Sequence, residues 1–297
     1  MVRANNLSGS GGANQAYVLG HSDQELARLN EQGRIVEPIT RRFFREAGLV
    51  AGMRVLDVGS GAGDVSFLAA DLIGDTGAIV GVDRSSAAVE VARARAIASG
   101  RRNVTFREGG PAEMKFDEPF DAVIGRFVLI FQDDPAAMLA KLAEHVRPGG
   151  LIVFHEIDLA GCQSFPPSRI YDSCCQWITE TVRLLGCDPR MGMKLHSAFV
   201  SAGLPVPTLS LEAVIGGGTN SLDSVRLAAE VVPVLLPEIL RLGVATAAEI
   251  GVETLKERII NEAISNESVI VGRFEIGAWC RVWLVKRVLR LISSPPS

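Results

Sequence analysis

The stretch Arg54-Val55-Leu56-Asp57-Val58-Gly59-Ser60-Gly61-Ala62-Gly63-Asp64 constrains this chain more than any other. Val55 to Val58 is a short aliphatic run that reads as a buried strand. A glycine turn follows at once, and then Val65, Leu68, Ala69 and Leu72 recur at helical spacing. Strand, glycine turn and helix in immediate succession form the ligand end of an open α/β sheet, because glycine lets the backbone approach where a β-carbon would collide. A second apolar run, Ala78 to Val82, closes on Asp83, where a carboxylate can accept both hydroxyls of a ribose.

Two further landmarks follow in order, Phe120-Asp121-Ala122-Val123-Ile124 and Val146-Arg147-Pro148-Gly149-Gly150-Leu151. Together with Asp57, Gly59-x-Gly61-x-Gly63 and Asp83, they resemble the class I S-adenosylmethionine (SAM)-dependent methyltransferases over roughly residues 45–158. A nicotinamide dinucleotide site wants G-x-G-x-x-G, whereas position 64 is Asp, a charge that the diphosphate would meet. SAM has no diphosphate and carries an ammonium and a sulfonium, so an acidic turn suits it. The resemblance implies SAM as methyl donor, S-adenosylhomocysteine (SAH) as product, and no metal.

It also implies roles for particular residues. Asp57 and the turn Gly59, Ser60 and Gly61 are expected to hold the methionine end, with Asp83 on the ribose and Arg84 beside the adenine. Many relatives carry Asp at the position of Gly110 and use the next backbone N–H for a ring nitrogen. Here Gly110 has no side chain and Pro111 has no N–H. Pro111, Ala112 and Glu113 are therefore expected at the adenine edge with the loop shifted by one, Ala112 donating and Glu113 accepting. Arg126, at the end of the fourth strand, either reaches the cofactor carboxylate as a charge-assisted donor or is a helix-capping or surface arginine.

The acceptor side has a weaker signature, since methyl transfer from an activated sulfonium needs mainly alignment and exclusion of water. His155 and Glu156 close the fifth strand and point to opposite faces, so one of them reaches the pocket. Glu156 is the expected one, as in capped relatives, orienting the acceptor or taking its proton. The alternatives are that Glu156 pairs with an arginine of the cap, or that His155 is the base. Tyr17 resembles the tyrosine that some small-molecule relatives place over the methyl group, and a plain hydrophobic contact is the other reading.

The fold expected is α/β: a seven-stranded Rossmann-like sheet, mostly parallel, closed by an antiparallel pair at 208–215 and 269–282. Residues 1–16 are expected to be disordered, and 17–47 to form cap helices divided at Gly33 and Pro38. The methyltransferase domain then fills 48–297, with helical cap insertions at about 160–200 and 220–265.

A net charge of −4 gives no general attraction to phosphate backbones. The Asn/Asp-Pro-Pro-aromatic motif of amino-methylating DNA enzymes is absent after the fourth strand, where Gly125-Arg126-Phe127-Val128 stands. A small organic acceptor is therefore expected. A nucleic-acid or protein methyltransferase, or a SAM-binding protein without catalysis, are the alternatives. Five cysteines without ligand spacing suit a reducing cytoplasm, and Cys174 shares an apolar helix face with Ile170 and Trp177, which reads as core packing. No apolar run is long enough to cross a bilayer, and the oligomeric state is left open, a homodimer being one arrangement.

Overall fold

Consecutive apolar residues in the central strands have no polar side to turn to water, so the sheet must be covered on both faces. Val55, Leu56, Val123 and Ile124 are all fully buried. The computed structural model describes residues 23–283 apart from Ala112. The readings of residues 1–16, Tyr17 and Ala112 lie outside the described residues.

Five strands run parallel in the order β3-β2-β1-β4-β5. They are β1 (Arg54–Val58), β2 (Ala78–Asp83), β3 (Val104–Glu108), β4 (Phe120–Arg126) and β5 (Val146–Asp158). Helices α1 (Asp23–Ala47), α2 (Asp64–Ile73) and α3 (Ser86–Ala98) cover one face, where Phe44, Leu68 and Val89 pack against Val55, Ile79 and Val153. On the other face lie α4 (Pro135–Ala143) and α6 (Met191–Ser201), whose Leu139, Leu195 and Phe199 meet Leu56, Val123 and Phe154.

The far side of the sheet is antiparallel, as expected. Strand β8 (Val269–Val282) pairs with β5 along one edge and with β7 (Thr208–Gly217) along the other. A three-residue strand, β6 (Gln163–Phe165), continues the β5 edge of β8 and raises the sheet to eight strands. Three residues are too few to show a period of two in the sequence.

The N-terminal region differs from expectation: α1 is one helix of 25 residues with Pro38 inside it. An interior proline costs about 3 kcal/mol, while full burial of a large apolar side chain returns about 1.5–3 kcal/mol. Val36, Ile39, Phe43 and Phe44 are all buried, so packing outweighs the break. Phe43 lies over Gly277 of β8, where a β-carbon would come within 2.6 Å of its ring.

A third cluster forms the cap. Helices α5 (Arg169–Leu184), α7 (Leu222–Ala229), α8 (Val232–Arg241) and α10 (Leu255–Ser265) bury Tyr171, Val232, Ile239 and Ile259 together. A capping box at Thr246 starts α9 (Ala247–Ile250), which stops at left-handed Gly251. The stretch 160–200 divides between two bodies: α5 joins the cap and α6 joins the sheet. Among the described residues, no helix is long and apolar enough to cross a membrane.

Candidate functional site

Strand order changes direction between β1 and β4, and in such sheets the crevice beyond the carboxyl ends is where ligands bind. A cavity of about 910 Å³ occupies that place. Its floor is Val58 to Ala62 after β1, Asp83 to Ser85 after β2, Pro111, and Arg126 to Val128 after β4. Its upper half is apolar and comes from the cap, including Tyr171, Ile178, Leu227, Val231 and Leu235. The two halves are one continuous space. A smaller cavity of about 460 Å³ shares Leu159, Cys162 and Cys175 with it and touches none of the glycine turn.

The turn is held by carboxylates. Asp83 Oδ2 accepts the Gly61 N–H at 2.9 Å and its Oδ1 accepts the Ser85 N–H at 2.8 Å. Asp64 pairs with Arg95 at 2.7 Å, and the same guanidinium donates to the Ala62 carbonyl at 2.7 Å. Gly59 has φ +64, and a β-carbon there would lie 2.8 Å from Val128 Cγ2. Asp57 is fully buried and accepts the Ser66 hydroxyl at 2.5 Å through Oδ2. Its Oδ1 has no partner among the described residues, and neither has the buried Ser60 Oγ. Burial pushes the Asp57 carboxyl up to about 7, against the Ser66 hydrogen bond and the charge of Arg126.

The two candidates at the end of β5 do point to opposite faces, and neither lines the cavity. Glu156 turns to the α4 side, where Oε1 accepts the N–H groups of Val128 at 2.8 Å and Leu129 at 2.7 Å. Its Oε2 lies 3.4 Å from the Ile130 N–H. These are orphan donors at the start of the 3₁₀ turn Leu129–Phe131, so the carboxylate caps that turn. Burial pushes its carboxyl up to about 8 in spite of the three donors. Neither the pocket-facing role nor pairing with a cap arginine describes this position.

His155 turns to α1. Its Nδ1 is 3.1 Å from Thr40 Oγ1 and its Nε2 is 2.9 Å from Glu275 Oε2. Burial lowers its pKa and keeps the ring neutral, outweighing Glu275. Burial opposes charge on Glu275 too, but Arg273 and His155 together hold it at about 2. The neutral ring therefore donates from Nε2 to Glu275 and accepts at Nδ1 from Thr40. Arg126 Nη1 donates to Thr40 Oγ1 at 3.2 Å, and Arg273 Nε donates to Glu275 Oε1 at 2.8 Å. A buried polar chain thus links two arginines that both line the cavity.

Between those arginines lies Phe127, at φ +58. Its ring centroid is 5.6 Å from the Arg126 guanidinium and 5.1 Å from that of Arg273. Its N–H donates to the His155 carbonyl at 2.9 Å, which fixes this strained residue. Neither Phe127 nor Arg273 has a site role expected from the sequence, because no local pattern marks them as ligand-facing. Cys162 and Cys175 also line the cavity, while Cys174 is buried in the cap cluster. No group of three or more His, Cys, Asp or Glu side chains among the described residues could hold a metal ion.

At the adenine edge, Pro111 and Arg84 line the cavity. Glu113 does not; it is largely exposed and lies 3.8 Å from Lys141. Its carboxylate nonetheless fills the space where a side chain on residue 110 would begin.

A family model described as a methyltransferase domain matches residues 49–198, half of the chain. The aklanonic acid methyltransferase of Streptomyces sp. (strain C5) is 35% identical over 123 residues, which is 39% of this chain and 54% of that protein. The ubiquinone biosynthesis O-methyltransferase of Hahella chejuensis is 34% identical over 142 residues, 46% of this chain and 55% of that protein. The chain thus spans about half the length of these curated relatives. Among solved structures, a geranyl diphosphate methyltransferase in complex with SAM superposes with a TM-score of 0.50 at 17% identity, covering 89% of this chain and 94% of that one. The YcgJ protein of Bacillus subtilis gives 0.50 at 17% identity, covering 83% and 98%. The ordered landmarks, the strand order with its crevice, and the match over 49–198 agree: the chain belongs to the class I SAM-dependent methyltransferase family.

Proposed function

We propose that this chain binds SAM in the lower half of the cavity and transfers its methyl group to a small, largely apolar acceptor held in the upper half. The observation that carries this reading is the continuity of one 910 Å³ space from the glycine turn to the cap. A SAM-binding protein without catalysis has no need of the second half. The relatives named for aklanonic acid and for ubiquinone biosynthesis favour a small acceptor.

The residues at the floor fit SAM. The unpartnered Asp57 Oδ1 and Ser60 Oγ suit the ammonium and carboxylate of the methionine end. Arg126, half-buried at the junction of the two halves, suits the carboxylate. Asp83 keeps lone pairs for the ribose hydroxyls beyond the two N–H groups it accepts. Arg84 and Pro111 flank the adenine. When bound, SAM supplies a methyl carbon activated by a positive sulfur. The chain aligns the acceptor with that carbon and excludes water through the cap. Glu156 and His155 act as positioning residues.

The test offers the purified protein methyl-tritiated SAM with four separate acceptor pools: a small-molecule extract, duplex DNA, tRNA and unfolded protein. Label extracted into organic solvent with the first pool is expected. Label confined to a polymer pool would overturn the acceptor class, and SAM left intact by every pool would overturn catalysis.

A further inference from the structure

Arg273 is a buried cation placed where the sheet itself lets go. On one edge of β8, pairing with β5 ends at Phe274 and pairing with β6 begins at Val271. On the other edge, the β7 register shifts between the same two positions. Gly272 and Arg273 thus sit in a gap on both sides, and the guanidinium leaves the strand for the cavity wall.

Only 7% of Arg273 is exposed. Nε is satisfied by Glu275, but Nη2 is buried with no protein acceptor among the described residues. Guanidinium is a flat fork of donors that matches the two oxygens of a carboxylate or an equivalent oxyanion. One face of the group is covered by Phe127 at 5.1 Å. Its charge also reaches the apolar chamber: the Cys162 thiol is lowered first by its hydrogen bond from Cys175 and in part by Arg273. Arg126, the other cavity arginine, has Thr40 as a partner and lies 5.6 Å from the Phe127 ring centroid.

From this geometry we infer that the methyl acceptor is an apolar molecule bearing one anionic oxygen group, a carboxylate or an acidic phenol or enol, that docks on Arg273. This rests on the methyltransferase reading and names the substrate class for the same site. Glu275, His155 and Thr40 hold the guanidinium in place from behind, so the anion meets a cation that is already oriented. The apolar body of the acceptor fills the chamber under Tyr171, Leu227 and Val231.

The probes are naphthalene-2-carboxylate and its neutral counterpart, naphthalene-2-carboxamide, titrated by calorimetry into the full chain saturated with SAH. The carboxylate is expected to bind at least about tenfold more tightly than the amide. Because Arg273→Met leaves Glu275 buried without its cation, the paired variant Arg273→Met/Glu275→Gln is measured beside it. In the paired variant the preference is expected to fall below about threefold while the amide affinity holds. Arg126→Met is expected to weaken SAH and to keep the carboxylate preference in the complex that still forms. The inference is overturned if SAH binds but neither probe does, if the two probes bind equally, or if the preference disappears with Arg126 and survives loss of Arg273. Absence of SAH binding to the unaltered protein would instead overturn the methyltransferase reading itself.

Discussion

Glu156 Oε1 accepts the backbone N–H of Val128 at 2.8 Å, and through that bond β5 supports the glycine turn. The Val128 Cγ2 lies only 2.8 Å from where a β-carbon on Gly59 would be, so fixing Val128 fixes the wall against which the turn closes. Glu156→Ala would free two short N–H bonds in a buried place and is expected to cost about 1–3 kcal/mol in urea unfolding. Glu156→Gln keeps a carbonyl acceptor and is expected to cost less. Methyl transfer by Glu156→Gln should stay within a few-fold of the unaltered chain; a loss of about 100-fold or more at normal SAH affinity would restore Glu156 as a general base.

Gly59→Ala combines two strains, a left-handed backbone at φ +64 and a contact of 2.8 Å with Val128 Cγ2. The backbone strain alone is about 1–2 kcal/mol. SAH affinity, read by calorimetry, is expected to fall by at least tenfold. Adding Val128→Ala should recover part of that loss by removing the contact and leaving the φ strain. Equal affinity in Gly59→Ala and the unaltered chain would show that the turn does not approach the cofactor.

The neighbours His155 and Glu156 should impose opposite pH dependences on stability. Glu156 is raised from 4.5 to about 8 in the folded chain, so its contribution is full below about 4.5 and is lost as pH rises through about 8. His155 is lowered from 6.5, so its contribution is full above that value and is lost as pH falls below it. Urea unfolding from pH 5 to 9 of Glu156→Gln and His155→Gln, each against the unaltered chain, separates the two. A Glu156→Gln difference that grows with rising pH in favour of the original Glu would contradict the first assignment.

Asp57, raised to about 7 by burial, offers a pH signature for the cofactor. An ammonium beside it favours the anion, so binding below that pH must release a proton. SAH affinity is expected to rise through pH 6 to 8 and to be nearly flat in Asp57→Asn, whose affinity is lower throughout. A flat profile in the unaltered chain would place the ammonium elsewhere.

The parallel half of the fold was legible because its signals are local: an aliphatic run, a glycine turn and a carboxylate at a strand end. Asp57, Gly59, Gly61 and Asp83 share one stretch or one strand end; Gly59, Gly61 and Asp83 line the crevice, while Asp57 is fully buried and does not. Pro38 reads as a break because propensity is local, whereas Phe43 is buried against His155 and Trp279, more than 100 positions away. Glu156 and His155 were correctly assigned to opposite faces by the period of two. Their partners, Val128 and Leu129 on one side and Thr40 and Glu275 on the other, are set by tertiary packing and leave no mark in spacing. Arg273 escaped for the same reason. Its neighbours Gly272 and Phe274 look like any strand, and only the two broken registers show that its side chain has somewhere to go.

Calorimetric titration of SAH into the unaltered chain and into Asp83→Ala tests the central claim most directly. The expected result is one-to-one binding by the unaltered chain and a loss of about 2–4 kcal/mol in Asp83→Ala, from the ribose hydrogen bonds and the released Gly61 N–H. No binding of SAH, or the same affinity in both proteins, would contradict it.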